Sequence, residues 1–191
     1  TDLRAYLVRI LDFEKVRLKI ANNERSAILK FDVLEDIGLA STPADPKSLF
    51  VRCDFALEEA GGYGESVNSI STSEFTFFAR CYDLETLYAN KIVAFLERSF
   101  YTGGKQEISF KGRDVYDLVW FKEYSLRQGV EPNAERLRKK ADLSVEEAWE
   151  KVRDKVEKID SRDVYRDIVA FLPNESAARS FADGFKGVLL G

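Results

Sequence analysis

Histidine and methionine are both missing from the 191 residues of this chain. Without imidazole it loses the commonest general base near neutral pH and a frequent metal ligand. Serine-hydrolase chemistry, which rests on a histidine base, is excluded on the same ground. A globular chain of this length ordinarily carries several of each, so the sequence is expected to be part of a longer one. Cysteine is scarce too. Cys53 and Cys81 stand far apart, which offers neither a zinc motif nor a disulfide framework. Both lie among strand-like apolar neighbours and read as buried free thiols of a reducing cytosol, a cytoplasmic setting. No apolar run reaches the length of a membrane span and no signal-peptide pattern opens the chain, so no membrane partner is expected. Charge of one sign is not abundant either. With 29 basic and 33 acidic residues the net charge is −4, and a nucleic acid would need a local basic patch.

What is present belongs to an ordinary globular protein, 45% hydrophobic and 32% charged, long enough to bury a core. Leu3, Tyr6, Leu7, Ile10 and Leu11 share one helical face. Val16, Leu18 and Ile20 then alternate with Lys15, Arg17 and Lys19, which predicts a half-buried strand with a basic outer face. A turn at 21–26, a second strand at 27–34, a loop at 36–47 and strands at 49–57 and 74–82 follow. Residues 60–69 and 102–112 read as connections. From Asp83 onward the period is helical, with a capping box at Ser144–Glu147 and a stop at Pro173. Strands first and helices after predict an α+β fold.

Lys91 breaks the pattern. In the helix from Asp83 to Arg98 it falls on the stripe of Leu84, Leu87, Tyr88, Phe95 and Leu96. Asp114 and Asp117 open the apolar helix after Gly112. Ionised groups against packed surface are costly unless they pair or bind something polar. Each also has a plain structural explanation, a lysine stem on apolar surface or an acid in a first helical turn; Asp117, between Tyr116 and Leu118, is the hardest to explain so. Asp54, between Cys53 and Phe55, shows the apolar–acid–apolar form of strand-borne metal ligands, as does Asp32, although simple alternation yields it often. Taken together, Asp54, Lys91, Asp114 and Asp117 suggest phosphoryl or nucleotidyl transfer: acids hold Mg²⁺ and a cation faces the triphosphate. The cluster Gly61-Gly62-Tyr63-Gly64 fits no phosphate-loop spacing and reads as a flexible turn.

The lysine helix 82–98, the following loop and the stretch Gly112–Phe121, with its Arg-Asp-x-Tyr-Asp-Leu core, resemble the lysine and aspartate motifs of the AbiEii/AbiGii-like nucleotidyltransferase toxins of type IV toxin–antitoxin systems. The strand 49–57 resembles the family's strand motif and 164–185 its helical tail. The resemblance implies a DNA-polymerase-β-like nucleotidyltransferase fold with a mixed sheet, the remainder of that αβ domain over 1–82, and a helical domain over 83–191. It implies an NTP donor with Mg²⁺, an RNA acceptor such as tRNA or another acceptor hydroxyl, and a cognate antitoxin. Carried over, Asp54 is the metal-binding and catalytic carboxylate, Lys91 contacts the NTP phosphates, and Asp114 or Asp117 completes the site, Asp114 on the nucleotide and Asp117 in catalysis. Tyr116 receives no role. The family's first motif, a glycine turn followed by Asp-x-Asp, does not occur before Asp54. Two alternatives stay open: the chain begins after that motif, or it is a catalytically silent module of this fold that binds a protein partner. For RNA, the basic features are the Lys15, Arg17, Lys19 face and the run Arg136–Lys140; each reads first as a solvated face.

Overall fold

A computed structural model describes residues 5, 9, 16–23, 25–40, 42–55, 61–102 and 105–191. The expected helix over residues 3–11 lies outside them apart from Ala5 and Arg9, both helical, and Lys15 lies outside them too. The chain divides into two compact units, Thr1–Glu59 and Ala60–Gly191.

The first unit holds β1 (Val16–Ala21), β2 (Ser26–Phe31) and β3 (Leu49–Asp54), an antiparallel sheet in that order. The β1–β2 turn places Asn22 and Asn23 in the left-handed region, which asparagine tolerates better than most residues. Val16, Ala27 and Leu29 are buried. The alternation expected of β1 is only half realised, since Leu18 is half-buried and Ile20 exposed. Register sets Ser26 opposite Asp54 at the end of β3.

The second unit opens with a hairpin of β4 (Glu65–Ser71) and β5 (Thr76–Tyr82). Part of β4 was expected as a connection. Its serines and asparagine mask the period, but pairing with β5 satisfies its backbone. A second hairpin, β6 (Ser99–Thr102) and β7 (Lys105–Ile108), replaces part of the expected polar loop. Gly103-Gly104 between them is a hairpin signal. The thiols also differ from expectation: both are free, but Cys53 is half-buried and Cys81 exposed. Each sits on a strand that is exposed along most of its length, β3 at the edge of its sheet and β5 in a two-stranded hairpin.

Six α-helices are described: α1 (Leu84–Glu97), α2 (Gly112–Gln128), α3 (Ala134–Ala141), α4 (Val145–Glu157), α5 (Ser161–Ile168) and α6 (Glu175–Leu190). A 3₁₀ turn, Val169–Phe171, extends α5 before Pro173. The expected capping box is present: the Ser144 hydroxyl accepts from the Glu147 amide and the Glu147 carboxylate accepts from the Ser144 amide. The helices enclose one core of Tyr88, Ile92, Phe95, Leu118, Trp149 and Phe185 with their neighbours. Tyr88 stacks on Phe121 at 4.7 Å and meets Trp149 edge-on at 6.0 Å. Burial, and secondarily the charge of Glu131, push its phenol well above the ordinary tyrosine range. No described helix is long and apolar enough to cross a membrane.

The glycine cluster proves to be a fixed seat for α1. Gly64 donates its amide to the Thr86 hydroxyl at 2.9 Å and accepts from the Asp83 amide at 3.1 Å. Asp83 in turn caps α1, accepting from the Thr86 amide at 2.8 Å. A Cβ on Gly64 would stand 2.6 Å from the Asp83 carboxyl carbon, too close to coexist with the cap. Gly64→Ala is therefore expected to cost about 1 kcal/mol, the worth of an N-cap, and Asp83→Ala the same. In urea unfolding the double variant should lose little more than either single one, because both remove one interaction.

Candidate functional site

Two helices of the second unit bring the predicted lysine and aspartate together. Lys91 stands midway along α1 and Asp117 in the second turn of α2. Leu118, one residue beyond Asp117, is fully buried, as are Ile92 and Tyr88 around Lys91. Packing of those apolar neighbours turns the two ionised side chains toward each other at the edge of the core. Lys91 Nζ and an Asp117 carboxylate oxygen are 2.5 Å apart, each side chain a little over one third exposed. At that exposure the pair contributes little to stability, about 1 kcal/mol or less. Its importance is placement.

The pair lines a cleft of about 460 Å³. Its other charged residues are Arg98, Lys111, Arg113 and Asp114. Tyr116, Ile168, Phe171 and Leu172 supply the remaining wall. Four cations against two carboxylates leave a surplus of two positive charges. The carboxylates are already taken, Asp117 by Lys91 and Asp114 by Arg98 Nε. The surplus therefore resides on Lys111 and Arg113, which no carboxylate pairs among the described residues.

Asp114 is the more buried acid, its side chain only 8% exposed. A carboxylate there is tolerable because Arg98 meets it and because the first turn of α2 favours negative charge. Arg98 is fixed from behind. Lys155 donates to the carbonyls of Phe95 at 2.5 Å and Arg98 at 3.0 Å, closing the C-terminal end of α1. Burial, and secondarily the Arg98 charge, depress the Lys155 pKa, while Asp114 opposes that shift. The cleft end of α1 is thus held by Lys155 on its last carbonyls and by the Arg98–Asp114 ion pair.

Asp54 belongs to the first unit. It accepts from Ser26 Oγ at 2.5 Å and Arg52 Nε at 2.8 Å, and these bonds, Ser26 first, hold its carboxyl below the usual range. Asp32, the other acid of that form, accepts from Ser48 at 2.5 Å and is paired by Arg17 and Lys30. Arg17 is thereby drawn from the predicted basic face into an ion pair. Among the described residues no group of three or more acids, cysteines or histidines is placed to hold a metal ion. With Asp54, Asp114 and Asp117 each engaged by a cation, these residues do not by themselves fit a Mg²⁺ site.

Sequence reasoning missed Arg98, Lys111, Arg113 and Phe171. Arg113 sits inside the Arg-Asp-x-Tyr-Asp-Leu core, where the acids drew the reading. The sequence places Arg136 on a solvated basic face, and the structure corrects this: it is fully buried. Its guanidinium donates to Asn90 Oδ1 at 2.9 Å and to the Gly61 carbonyl at 3.0 Å.

No curated protein matches the chain, and no solved structure matches it either. One family model does, over residues 5–187, and the α+β order of small antiparallel sheets followed by helices is consistent with that family's nucleotidyltransferase fold. Covering nearly all of the sequence, the match shows that the chain belongs to the family described as nucleotidyl transferase AbiEii toxin of type IV toxin–antitoxin systems.

Proposed function

We propose that the α1–α2 cleft binds the triphosphate of an NTP and that the protein transfers the nucleotide to an RNA hydroxyl, tRNA being the first acceptor to test. Family membership implies a nucleotidyltransferase toxin with an NTP substrate, typically a divalent metal, and a cognate antitoxin. The observation that carries the reading is the meeting of Lys91 and Asp117 in a cleft with surplus positive charge. Such surroundings favour a polyanion. Cytoplasm, where NTP and tRNA are abundant, is the setting this reading requires.

Lys111 and Arg113, which no carboxylate pairs among the described residues, take the first phosphate charges. Lys91 adds an ammonium whose direction is set by Asp117, and Arg98 a guanidinium set by Asp114. In the reaction an acceptor oxygen attacks the α-phosphorus, the bond to the bridging oxygen breaks, and pyrophosphate leaves with its charge as the hydroxyl proton is lost. Cations on the β- and γ-phosphates stabilise that leaving charge. Asp54 is read as the acid of the strand motif, and with Ser26 and Arg52 on its carboxylate it is assigned no step. No group of described residues is placed to hold the metal ion that chemistry of this kind typically uses.

The test uses α-labelled NTPs, Mg²⁺ and total tRNA. Wild type is expected to label RNA with at least one NTP, and Lys91→Ala to lower the rate about 100-fold. Equal labelling by both proteins would remove Lys91 from the mechanism. Nucleotide binding without labelling of any acceptor would favour the silent module instead.

A further inference from the structure

Part of the cleft wall is apolar. Phe171 stands on the 3₁₀ turn after α5 with 57% of its surface exposed. The Arg113 guanidinium lies over its ring, 4.7 Å from the centroid. Tyr116, one turn beyond Arg113 on α2, is 40% exposed, with its ring tilted on Phe181 at 5.1 Å. Ile168, nearly fully buried, anchors the same wall. Both rings line the cleft and stay at least 40% exposed, which is unusual for side chains that gain most from burial. A flat heterocycle laid against them would cover that surface. A guanidinium can stack on such a ring and still reach an anion with its edge.

Resting on the reading that this cleft takes an NTP, we propose that Phe171 and Tyr116 form a nucleobase-binding wall, with Arg113 joining the base end of the cleft to its phosphate end. Stacking of this kind tolerates any base, since each has a π-face. The wall therefore raises affinity for nucleotides as a class and discriminates weakly among the four.

Calorimetric titration with each NTP and with inorganic tripolyphosphate in one buffer tests it. Phe171→Leu, which keeps apolar bulk without the ring, is expected to weaken NTP binding about tenfold and to leave tripolyphosphate unchanged. Phe171→Tyr restores the wild-type value. In Phe171→Trp, the new indole's fluorescence is quenched by NTP but not by tripolyphosphate. If tripolyphosphate binds and Phe171→Leu leaves NTP affinity intact, or weakens both ligands alike, the wall is wrong while the phosphate site stands. If neither ligand binds wild type, both fall.

Discussion

Arg136→Ala should unfold at markedly lower urea than wild type, with a loss of about 3 kcal/mol. The guanidinium is wholly removed from solvent and ties three parts of the second unit. It bonds Asn90 on α1, the Gly61 carbonyl ahead of β4, and faces the rings of Tyr63 and Tyr82, each at 5.7 Å. Truncation to alanine leaves the Asn90 and Gly61 oxygens, at least, without their donor, at about 1–3 kcal/mol for each that stays buried, and opens a void where a large side chain stood. Arg136→Met fills most of that void and removes a desolvated charge, so its loss should be about half as large. Arg136→Lys keeps the charge but not the fork that reaches Asn90 and Gly61 together; it should fall between the two. If Arg136 belonged to a solvated RNA-binding face, all three variants would instead melt with wild type and differ only in RNA affinity.

That residue marks where sequence reasoning stopped. Arg136 opens the run Arg-Leu-Arg-Lys-Lys, in which charge alone gives no phase. The phase comes from Asn133, whose side chain accepts from the Arg136 amide at 2.9 Å and caps α3. The partner at Gly61 is 75 residues away in sequence, beyond the reach of local periodicity. Features set within one element were readable: the Ser144 capping box, the turn at Asn22–Asn23, and the stop before Pro173. Strands whose stability comes from pairing were not, as in β4, where Ser66, Asn68 and Ser69 hide the alternation. The site divides the same way. Lys91 and Asp117 were visible because each interrupts a strong apolar stripe. Arg98 and Lys111 flank helix ends, where cations are common, and only the tertiary fold turns them toward one cleft.

The same pairing makes a prediction about charge that stability cannot mimic. Removing Lys91 does two things to an incoming triphosphate. It deletes an attractive ammonium, and it leaves the Asp117 carboxylate, formerly 2.5 Å from that ammonium, facing the phosphates unneutralised. Each change is worth about 1–1.4 kcal/mol for groups this exposed, so Lys91→Ala should weaken NTP binding about 30- to 100-fold. Adding Asp117→Asn removes the repulsion but cannot restore the attraction. The double variant should therefore bind about five- to tenfold more tightly than Lys91→Ala alone, although it carries one more substitution. Asp117→Asn by itself frees the ammonium and should tighten tripolyphosphate binding a few-fold. All three effects should shrink as salt rises, because the groups are partly open to solvent. A double variant that binds no better than Lys91→Ala would mean that the carboxylate does not face the phosphates, and the cleft would then need a different occupant.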